Sequence, residues 1–151
     1  MCDIVGMINT LPPEMLVRIL DTLPVRIFWK DLDSRFLGCN ALFASDAGVS
    51  DPAEFLGRSD FYFYAPDQAT AFRADDADII HTKTPKLGIL EKLTRADGQV
   101  TWLETNKWPL SDVNGNVTGI LGMYRDITQA KNEEDERCRA CLSTISMLSP
   151  R

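Results

Sequence analysis

Apolar residues near the start of the chain follow a helical spacing. After Pro12-Pro13 they recur every three or four positions, which places them on one face of a helix. Pro24 cannot continue a helix, so the pattern predicts an amphipathic helix over residues 11–23, preceded by a short leader over residues 1–10. The apolar face of this helix consists of Met15, Leu16, Ile19, Leu20 and Leu23.

Two short strands joined by a polar turn are predicted next, over residues 25–29 and 35–39. Because side chains alternate along a strand, Ile27 and Trp29 lie on one face of the first strand, and Phe28 and Lys30 lie on the other. Only one of the two aromatic residues can therefore enter an interior pocket. A short helix follows over residues 41–47, with Asn40 as its N-cap.

The second half of the chain predicts one long helix and three strands. The helix is expected over residues 66–81, with a proline at its first position. The dipeptides Asp97-Gly98 and Asn114-Gly115 favour tight hairpins between the strands. Two strands, then helices, then three strands predict an α+β fold: a mostly antiparallel five-stranded sheet with helices packed on one face. The last three strands are expected over residues 87–94, 99–110 and 117–127.

A densely charged segment, residues 129–151, has the spacing of a single helix. Glu133 and Arg137 lie one helical turn apart, acid before base, an order that supports an isolated helix. Apolar residues and two cysteines form a seam along it, and such a seam binds a partner helix, most simply that of a second chain. Folding back onto the sheet, or fraying, is the alternative. The seam contains Cys138, Cys141, Leu142, Ile145 and Leu148.

Length and composition fit one domain with an appended helix. The chain has 151 residues, 44% of them apolar, which is enough for one core and too few for two. The net charge of −6 and the absence of a basic stripe argue against nucleic acid or an anionic membrane as a partner. No stretch approaches the roughly 18 apolar residues of a membrane span, and the first residues do not resemble a signal peptide.

Four cysteines are scattered along the chain, which does not resemble a disulfide framework. We therefore expect free thiols in a reducing cytoplasm. Cys138 and Cys141 have the spacing of redox and metal motifs, but they lie inside an acidic helix, which favours the thiol form. We interpret them as small apolar members of the helical seam, with a redox role as the alternative.

Several motifs, in order and over residues 20–128, resemble the PAS domain family. The resemblance implies a five-stranded antiparallel sheet flanked by helices, in agreement with the pattern of strands. It also implies a sensory or dimerisation module of bacterial signalling proteins, attached to a histidine kinase, a diguanylate cyclase or a transcription regulator. The motifs are Leu23-Pro24, Ile27-Phe28-Trp29-Lys30-Asp31, Gly38-Cys39-Asn40, Gly57-Arg58-Ser59-Asp60, Asp97-Gly98 with Trp102, and Gly122-Met123-Tyr124-Arg125-Asp126-Ile127-Thr128.

The cofactor chemistry of the PAS family does not transfer to this sequence. Flavin-reactive members need a cysteine after the short central helices, and the matching residues 57–61 contain none, so no covalent flavin is expected. Haem-binding members place a histidine in the long helix, near Arg73 by position. The single histidine, His81, lies about two turns later, where a solvated residue is the simpler interpretation. Neither haem nor a metal is expected, and the cofactor is unknown.

The resemblance implies a ligand pocket between the sheet and the long helix. Asp76 is the sharpest candidate, because a carboxylate on an apolar stripe must reach solvent at the edge or find a partner inside. Arg73 lies within helical reach of it, and if both face the pocket the ligand is polar. Pairing of Asp76 with a nearby cation at the edge is the alternative. The pocket candidates are Trp29, Phe61, Phe63, Phe72, Arg73 and Asp76.

Asp126 and Thr128 are candidates for relaying a signal from the last strand to the charged helix. An Asp or Thr at such a junction accepts the first unpaired backbone N–H groups of the helix, so the end of the strand determines where the helix starts. The resemblance to the PAS family implies that the triplet Asp126-Ile127-Thr128 couples the sheet to an output helix.

Two functions of different classes follow from these observations. The first is a sensor that binds a small molecule and signals through the charged helix to an effector. The second is a ligand-free dimerisation module, whose interfaces are Met15, Leu16 and Ile19 on the first helix, and Leu142, Ile145 and Leu148 on the last. A homodimer is expected in both cases. No phosphate loop, nucleophile elbow, kinase or cyclase signature is present, so we do not expect an enzyme.

Overall fold

A computed structural model describes residues 10–94 and 97–148. The elements are α1 (Pro13–Thr22), β1 (Arg26–Asp31), β2 (Phe36–Cys39), α2 (Ala41–Asp46), a 3-10 helix (Pro52–Phe55), α3 (Asp60–Phe63), α4 (Pro66–Thr82), β3 (Lys86–Thr94), β4 (Val100–Ser111), β5 (Val117–Asp126) and α5 (Thr128–Leu148). The five strands form one antiparallel sheet in the order β2-β1-β5-β4-β3. Helices lie before β1, between β2 and β3, and after β5. The predicted α+β fold is confirmed.

The predicted helices and strands end within a few residues of the observed ones. The long helix α4 starts at its proline and ends where Lys83 adopts a left-handed conformation, with φ of 55°. The prediction that Asn40 caps α2 is confirmed, since its side chain accepts a hydrogen bond from the Phe43 N–H. The predicted leader lies outside the described residues apart from Thr10.

The two faces of β1 have different surroundings. Phe28 and Lys30 are buried on the face that lines a cavity under the helices. Trp29 lies against Gly38 on the other face, so the prediction that Trp29 lines the pocket is wrong, because side chains alternate along the strand. Glycines make room for both rings. A Cβ at Gly122 would overlap the Phe28 ring, and a Cβ at Gly38 would overlap the Trp29 ring.

Aromatic side chains form the core between the sheet and the short helices. Phe36 is fully buried, and its ring centroid lies 4.9 Å from that of Phe55 in an edge arrangement. Phe55 stacks on Phe63 at 3.9 Å, and Phe28 packs on Phe43 at 4.9 Å. Such pairs contribute packing energy beyond the area they bury. This aromatic core forms one end of the cavity described below.

Asn40 fastens the first helix to the sheet. Its amide donates hydrogen bonds to the backbone oxygens of Leu20, at 3.0 Å, and Val25, at 2.8 Å. Its side-chain oxygen accepts from the backbone N–H of Ile27, at 3.1 Å, as well as from Phe43. All four hydrogen-bonding positions of this buried amide are therefore used. The C-terminal end of α1 is fixed by one side chain that also starts α2.

Candidate functional site

A cavity lies between the sheet and the long helix α4, beside the aromatic core. Its empty space amounts to about 400 Å³, part of which is open to solvent. The volume that the centre of a water molecule can occupy there is smaller, about 40 Å³. That smaller volume holds about three water molecules, so the site suits a ligand of about the size of one ring. Phe28, Phe36 and Phe72 contribute apolar walls. The polar lining residues are Lys30, Asp60, Tyr64, Glu91, Thr105 and Lys107.

Lys30 is a fully buried lysine on β1. Its Nζ donates to Asp60 Oδ1 at 2.8 Å and Oδ2 at 2.7 Å, and to Asp76 Oδ2 at 2.9 Å. These three acceptors use all three N–H groups of the ammonium. The side chain is 1% exposed, and its ammonium also lies 4.7 Å from the centre of the Phe36 ring. Lys30 is therefore a partnered interior charge and not a surface residue.

Asp76 joins Lys30 to a second buried lysine, Lys107 on β4. Lys107 Nζ donates to Asp76 Oδ1 at 2.9 Å and more weakly to the Phe72 carbonyl at 3.4 Å. We call Lys30, Asp60, Asp76 and Lys107 the buried charge quartet. Their side chains are at most 3% exposed, and their two positive and two negative charges cancel. The quartet attaches α3 and α4 to two strands of the sheet.

Burial and ion pairing shift the pKa values of the two carboxyl groups of the quartet in opposite directions. For Asp76 desolvation raises the pKa, but the two ammonium groups together outweigh it, so the pKa lies below its ordinary value. For Asp60 desolvation outweighs the attraction of Lys30, so the pKa lies above its ordinary value. Asp76 is therefore the firmly ionised centre of the network.

Glu91 and Tyr64 add two further polar groups to the cavity wall. Glu91 Oε2 accepts a hydrogen bond of 2.7 Å from the Thr105 hydroxyl, and burial raises the pKa of this carboxyl group. Tyr64 is partly buried, and desolvation, together with the nearby charge of Asp60, raises the pKa of its hydroxyl well above the ordinary value. Within residues 10–94 and 97–148 that hydroxyl has no hydrogen-bond partner, and it is in contact with solvent. Both groups are thus placed to bind a molecule in the cavity.

The structure places some of the predicted pocket residues in or next to the cavity and others at the surface. Phe72 lines the cavity, and Asp76 is buried beside it with both oxygens bonded to lysines. Phe63 packs in the aromatic core next to the cavity. The placement of Phe61 and Arg73 in the pocket is wrong, because both side chains are exposed. Arg73 shares the helix with Asp76 but projects from another side of it.

The polar residues that sequence reasoning missed are those contributed by strands and short helices. Lys30 follows Phe28 by two positions and therefore shares its face, which was the one available signal. Lys107 and Thr105 lie on one face of β4 by the same rule. A lysine in a strand usually faces solvent, and only the facing aspartates reveal that these two do not.

The junction with the last helix is connected to the cavity wall through β4. The Thr128 hydroxyl oxygen accepts a 2.9 Å hydrogen bond from the Trp102 N–H, and the Trp102 carbonyl accepts one of 2.9 Å from Ile127 N–H. Asp126 Oδ1 accepts from the Thr128 N–H at 2.9 Å, two residues further along the chain, as in an Asx turn. Thr128 therefore bonds to a strand rather than to its own helix. Trp102 is adjacent in β4 to Leu103, which lines the cavity.

Comparison with known proteins decides the family. Residues 20–132 match the family model described as PAS fold. The chain belongs to the PAS fold family. That match contains the whole sheet, the cavity and the strand-to-helix junction.

The relatives of this PAS domain are signalling proteins. It is 34% identical over 113 residues to the methanogenesis regulatory histidine kinase FilI of Methanothrix harundinacea, covering 75% of this chain and 12% of that protein. It is 27% identical over 136 residues to the aerobic respiration control sensor protein ArcB of Escherichia coli, covering 90% of this chain and 17% of that protein. The chain thus spans less than a fifth of the length of these relatives.

A solved structure shares the fold of this PAS domain. The VqmA–ligand–DNA complex of Vibrio cholerae superposes with a TM-score of 0.72 at 26% identity, covering 87% of this chain and 59% of that chain. This likeness shows the same fold in a solved structure, and the sensor relatives above support a PAS domain of two-component signal transduction.

Both terminal helices of the PAS domain have exposed apolar faces. On α1 the residues Met15, Leu16 and Ile19 are 39–47% exposed. On α5 the seam is exposed as well, and Cys138 and Cys141 are free thiols on the same helix. No helix in the described part of the chain is long and apolar enough to cross a membrane. The seam members Leu142, Ile145 and Leu148 are 60–78% exposed.

Side chains able to hold a metal ion do not converge in the described ranges, 10–94 and 97–148. No group of three His, Cys, Asp or Glu residues there has the geometry of a metal site. His81 is exposed in the last turn of α4 and does not line the cavity.

Proposed function

We propose that this PAS domain binds a small molecule in the cavity and passes the resulting change through α5 to an effector such as a histidine kinase or a diguanylate cyclase. The observation that carries the proposal is the position of β4. Its side chains Leu103, Thr105 and Lys107 line the cavity, and its Trp102 backbone bonds to the junction at Ile127 and Thr128. A ligand that moves β4 therefore moves the start of the helix.

The relatives support a role in signalling. FilI is a histidine kinase and ArcB a sensor protein, and VqmA was solved with a ligand and DNA. The domain division that we propose assigns residues 24–128 to sensing and residues 129–151 to output. We place the protein in a reducing cytoplasm, and we assign it no catalytic activity of its own.

Ligand retention is expected to depend on Tyr64. Native mass spectrometry of the freshly purified protein should show extra mass that is lost on denaturation. Tyr64→Phe removes only the hydroxyl of a side chain that lines the cavity, so it should reduce the retained fraction severalfold, in line with about 1 kcal/mol for one hydrogen bond. Tyr62→Phe is the matched control, because Tyr62 is 65% exposed.

Two results would count against ligand sensing. One is a bare mass for the wild-type protein under native conditions, together with no change in any cavity residue on addition of small molecules. The other is an equal loss of bound mass in the Tyr62 and Tyr64 variants, since the exposed ring has no access to the cavity.

Replacing Thr128 with valine is expected to weaken the attachment of α5 to β4. The Trp102 N–H would lose its acceptor, at a cost of about 1 kcal/mol. Hydrogen–deuterium exchange in the first turn of α5 should then accelerate by about fivefold. Thr144→Val is the matched control, because the Thr144 hydroxyl bonds only to the Ala140 carbonyl within the same helix. Equal acceleration by both variants would contradict a special role for the junction.

A ligand-free dimerisation module is the second candidate, and the exposed apolar faces of α1 and α5 favour it. Under this alternative the same helices pair between two copies and the cavity stays filled with water. A homodimer is part of both proposals, so oligomeric state does not distinguish them. The native mass measurement does, because a dimer without extra mass would favour the module and a dimer with it would favour the sensor.

A further inference from the structure

The charged side chains at the cavity do not balance. The buried charge quartet is neutral by itself, and each of its two ammonium groups lies 2.7–2.9 Å from a carboxylate oxygen. Glu91 is a further carboxylate in the cavity wall, and no ammonium or guanidinium lies within ion-pair distance of it among residues 10–94 and 97–148. In the ionised forms, two ammonium groups therefore face three carboxylates, which leaves one negative charge without a partner.

Glu91 has one oxygen held in place and one oxygen free. The Thr105 hydroxyl donates to Glu91 Oε2 at 2.7 Å, the short distance that hydroxyl groups reach with ionised carboxylates. Both side chains line the cavity, from the neighbouring strands β3 and β4. Oε1 has no hydrogen-bond partner in the described part of the chain. The carboxylate is thus oriented by one neighbour and can accept from a bound molecule.

The surroundings of Glu91 disfavour a second negative charge. Burial is the main cause that raises the pKa of its carboxyl group, and the charges of Asp75 and Asp76 raise it further, against the opposing effects of Thr105 and Lys107. Lys107 is itself bonded to Asp76, at 2.9 Å. A bound anion would add to the repulsion between these carboxylates, whereas a bound cation would reduce it.

Aromatic rings form much of the cavity wall, and they already lie close to positive groups. Lys30 Nζ lies 4.7 Å from the centre of the Phe36 ring, and Lys107 Nζ lies 5.7 Å from that of the Phe72 ring. The negative face of an aromatic ring attracts an ammonium group. A ligand ammonium would meet the same kind of wall. The other rings that line the cavity are those of Phe28, Phe43, Tyr64 and Tyr124.

We infer that the cavity takes a small organic cation of about one ring, and that the ammonium group of this ligand bonds to Glu91 Oε1. This inference rests on the proposed ligand-binding function and names the class of ligand. The complex requires one charge state of Glu91, the ionised one, and it brings the net charge at the cavity to zero. A carboxylate ligand would instead double the negative charge, and Lys30 has no N–H left to donate to it.

Three compounds of similar size test the inference: benzylamine, benzyl alcohol and benzoate, which are cationic, uncharged and anionic at neutral pH. Titrations of the full chain, followed by amide chemical shifts in residues 103–107, give the three affinities. Benzylamine should bind at least about tenfold more tightly than benzyl alcohol, because a hydrogen bond between charged groups is about twice as strong as one between neutral groups. Benzoate should bind most weakly of the three.

The outcomes of these titrations separate the inference from the proposed function. A smaller advantage of benzylamine over benzyl alcohol, or equal or tighter binding of benzoate, would overturn the inference and leave the cavity as a ligand site. No shift with any of the three compounds would overturn the cavity as a binding site, and with it the proposed function.

Glu91→Gln separates the charge of this residue from its shape, since the glutamine still offers an oxygen to Thr105. The affinity for benzylamine should fall by at least about tenfold, and that for benzyl alcohol should change by less than about threefold. Glu104→Gln is the matched control on the other face of the sheet, where Glu104 pairs with the exposed Arg125. Both variants remove one negative charge, so a general attraction of cations by the net charge of −6 would weaken equally in both.

Only the Glu91 variant should therefore lose benzylamine. Equal losses of benzylamine affinity in the two variants, or an equal loss of benzyl alcohol and benzylamine in the Glu91 variant, would overturn the role of Glu91.

Discussion

Replacing Asp76 with alanine is expected to lower the free energy of unfolding by about 3–5 kcal/mol. The substitution removes the only carboxylate that bonds to both Lys30 and Lys107, and it leaves Lys107 buried with no charged partner in the described residues. An uncompensated interior ammonium is far more costly than an absent pair. Chemical denaturation followed by tryptophan fluorescence measures the difference.

Asp75→Ala provides the matched control for this prediction. Asp75 is the neighbouring residue of the same helix, and its carboxylate pairs with Lys86 at 2.8 Å. That pair is partly solvated, with side chains 25% and 36% exposed, so its loss should cost less than about 1 kcal/mol. If both variants lost the same free energy, the buried charge quartet would contribute no more than a surface ion pair does.

Phe36→Ala is expected to cost about 3–5 kcal/mol, the range for a large side chain removed from a packed core. The Phe36 ring is fully buried and contacts four other aromatic rings. Its loss would leave a void at the end of the cavity, lined by rings that cannot collapse into it without moving the sheet. The same denaturation measurement applies, and dye binding to exposed apolar surface would report loosened packing.

Phe61→Ala is the control for the aromatic core. Phe61 is 48% exposed although it lies in the same aromatic segment as Phe63. Its removal should cost less than about 1 kcal/mol, because little of the ring leaves water on folding. A loss as large as that of the Phe36 variant would contradict the separation of these two rings into surface and core.

The sequence predicted the sheet better than it predicted the site, for a physical reason. Hairpin dipeptides and strand-length apolar runs are local signals, and each of the five strands carries its own. Asp76 and Phe72 could also be predicted, since a helical stripe identifies one buried face from the sequence alone. The partner of Asp76 on β1, Lys30, could not be predicted. Alternation along β1 defines two faces, but it does not show which of them the helices cover.

Short elements account for the remaining errors. The helix α3 is a single turn of four residues, so Phe61 and Phe63 project from nearly opposite sides of it. Such a segment has too few residues for a periodic pattern, and its aromatic content alone predicted burial for both. Arg73 was assigned by its distance along the helix from Asp76, but a separation of three residues still allows one side chain to be buried and the other solvated.

Gly122 determines the size of the cavity although it does not line it. The Phe28 ring rests where a Cβ of residue 122 would be, which keeps the ring close to the sheet and away from the space under the helices. A single methyl group at that position would lift the ring and make the space smaller, with every lining side chain unchanged. The largest molecule that the cavity can admit is therefore limited by the backbone of β5, the strand that leads directly into α5.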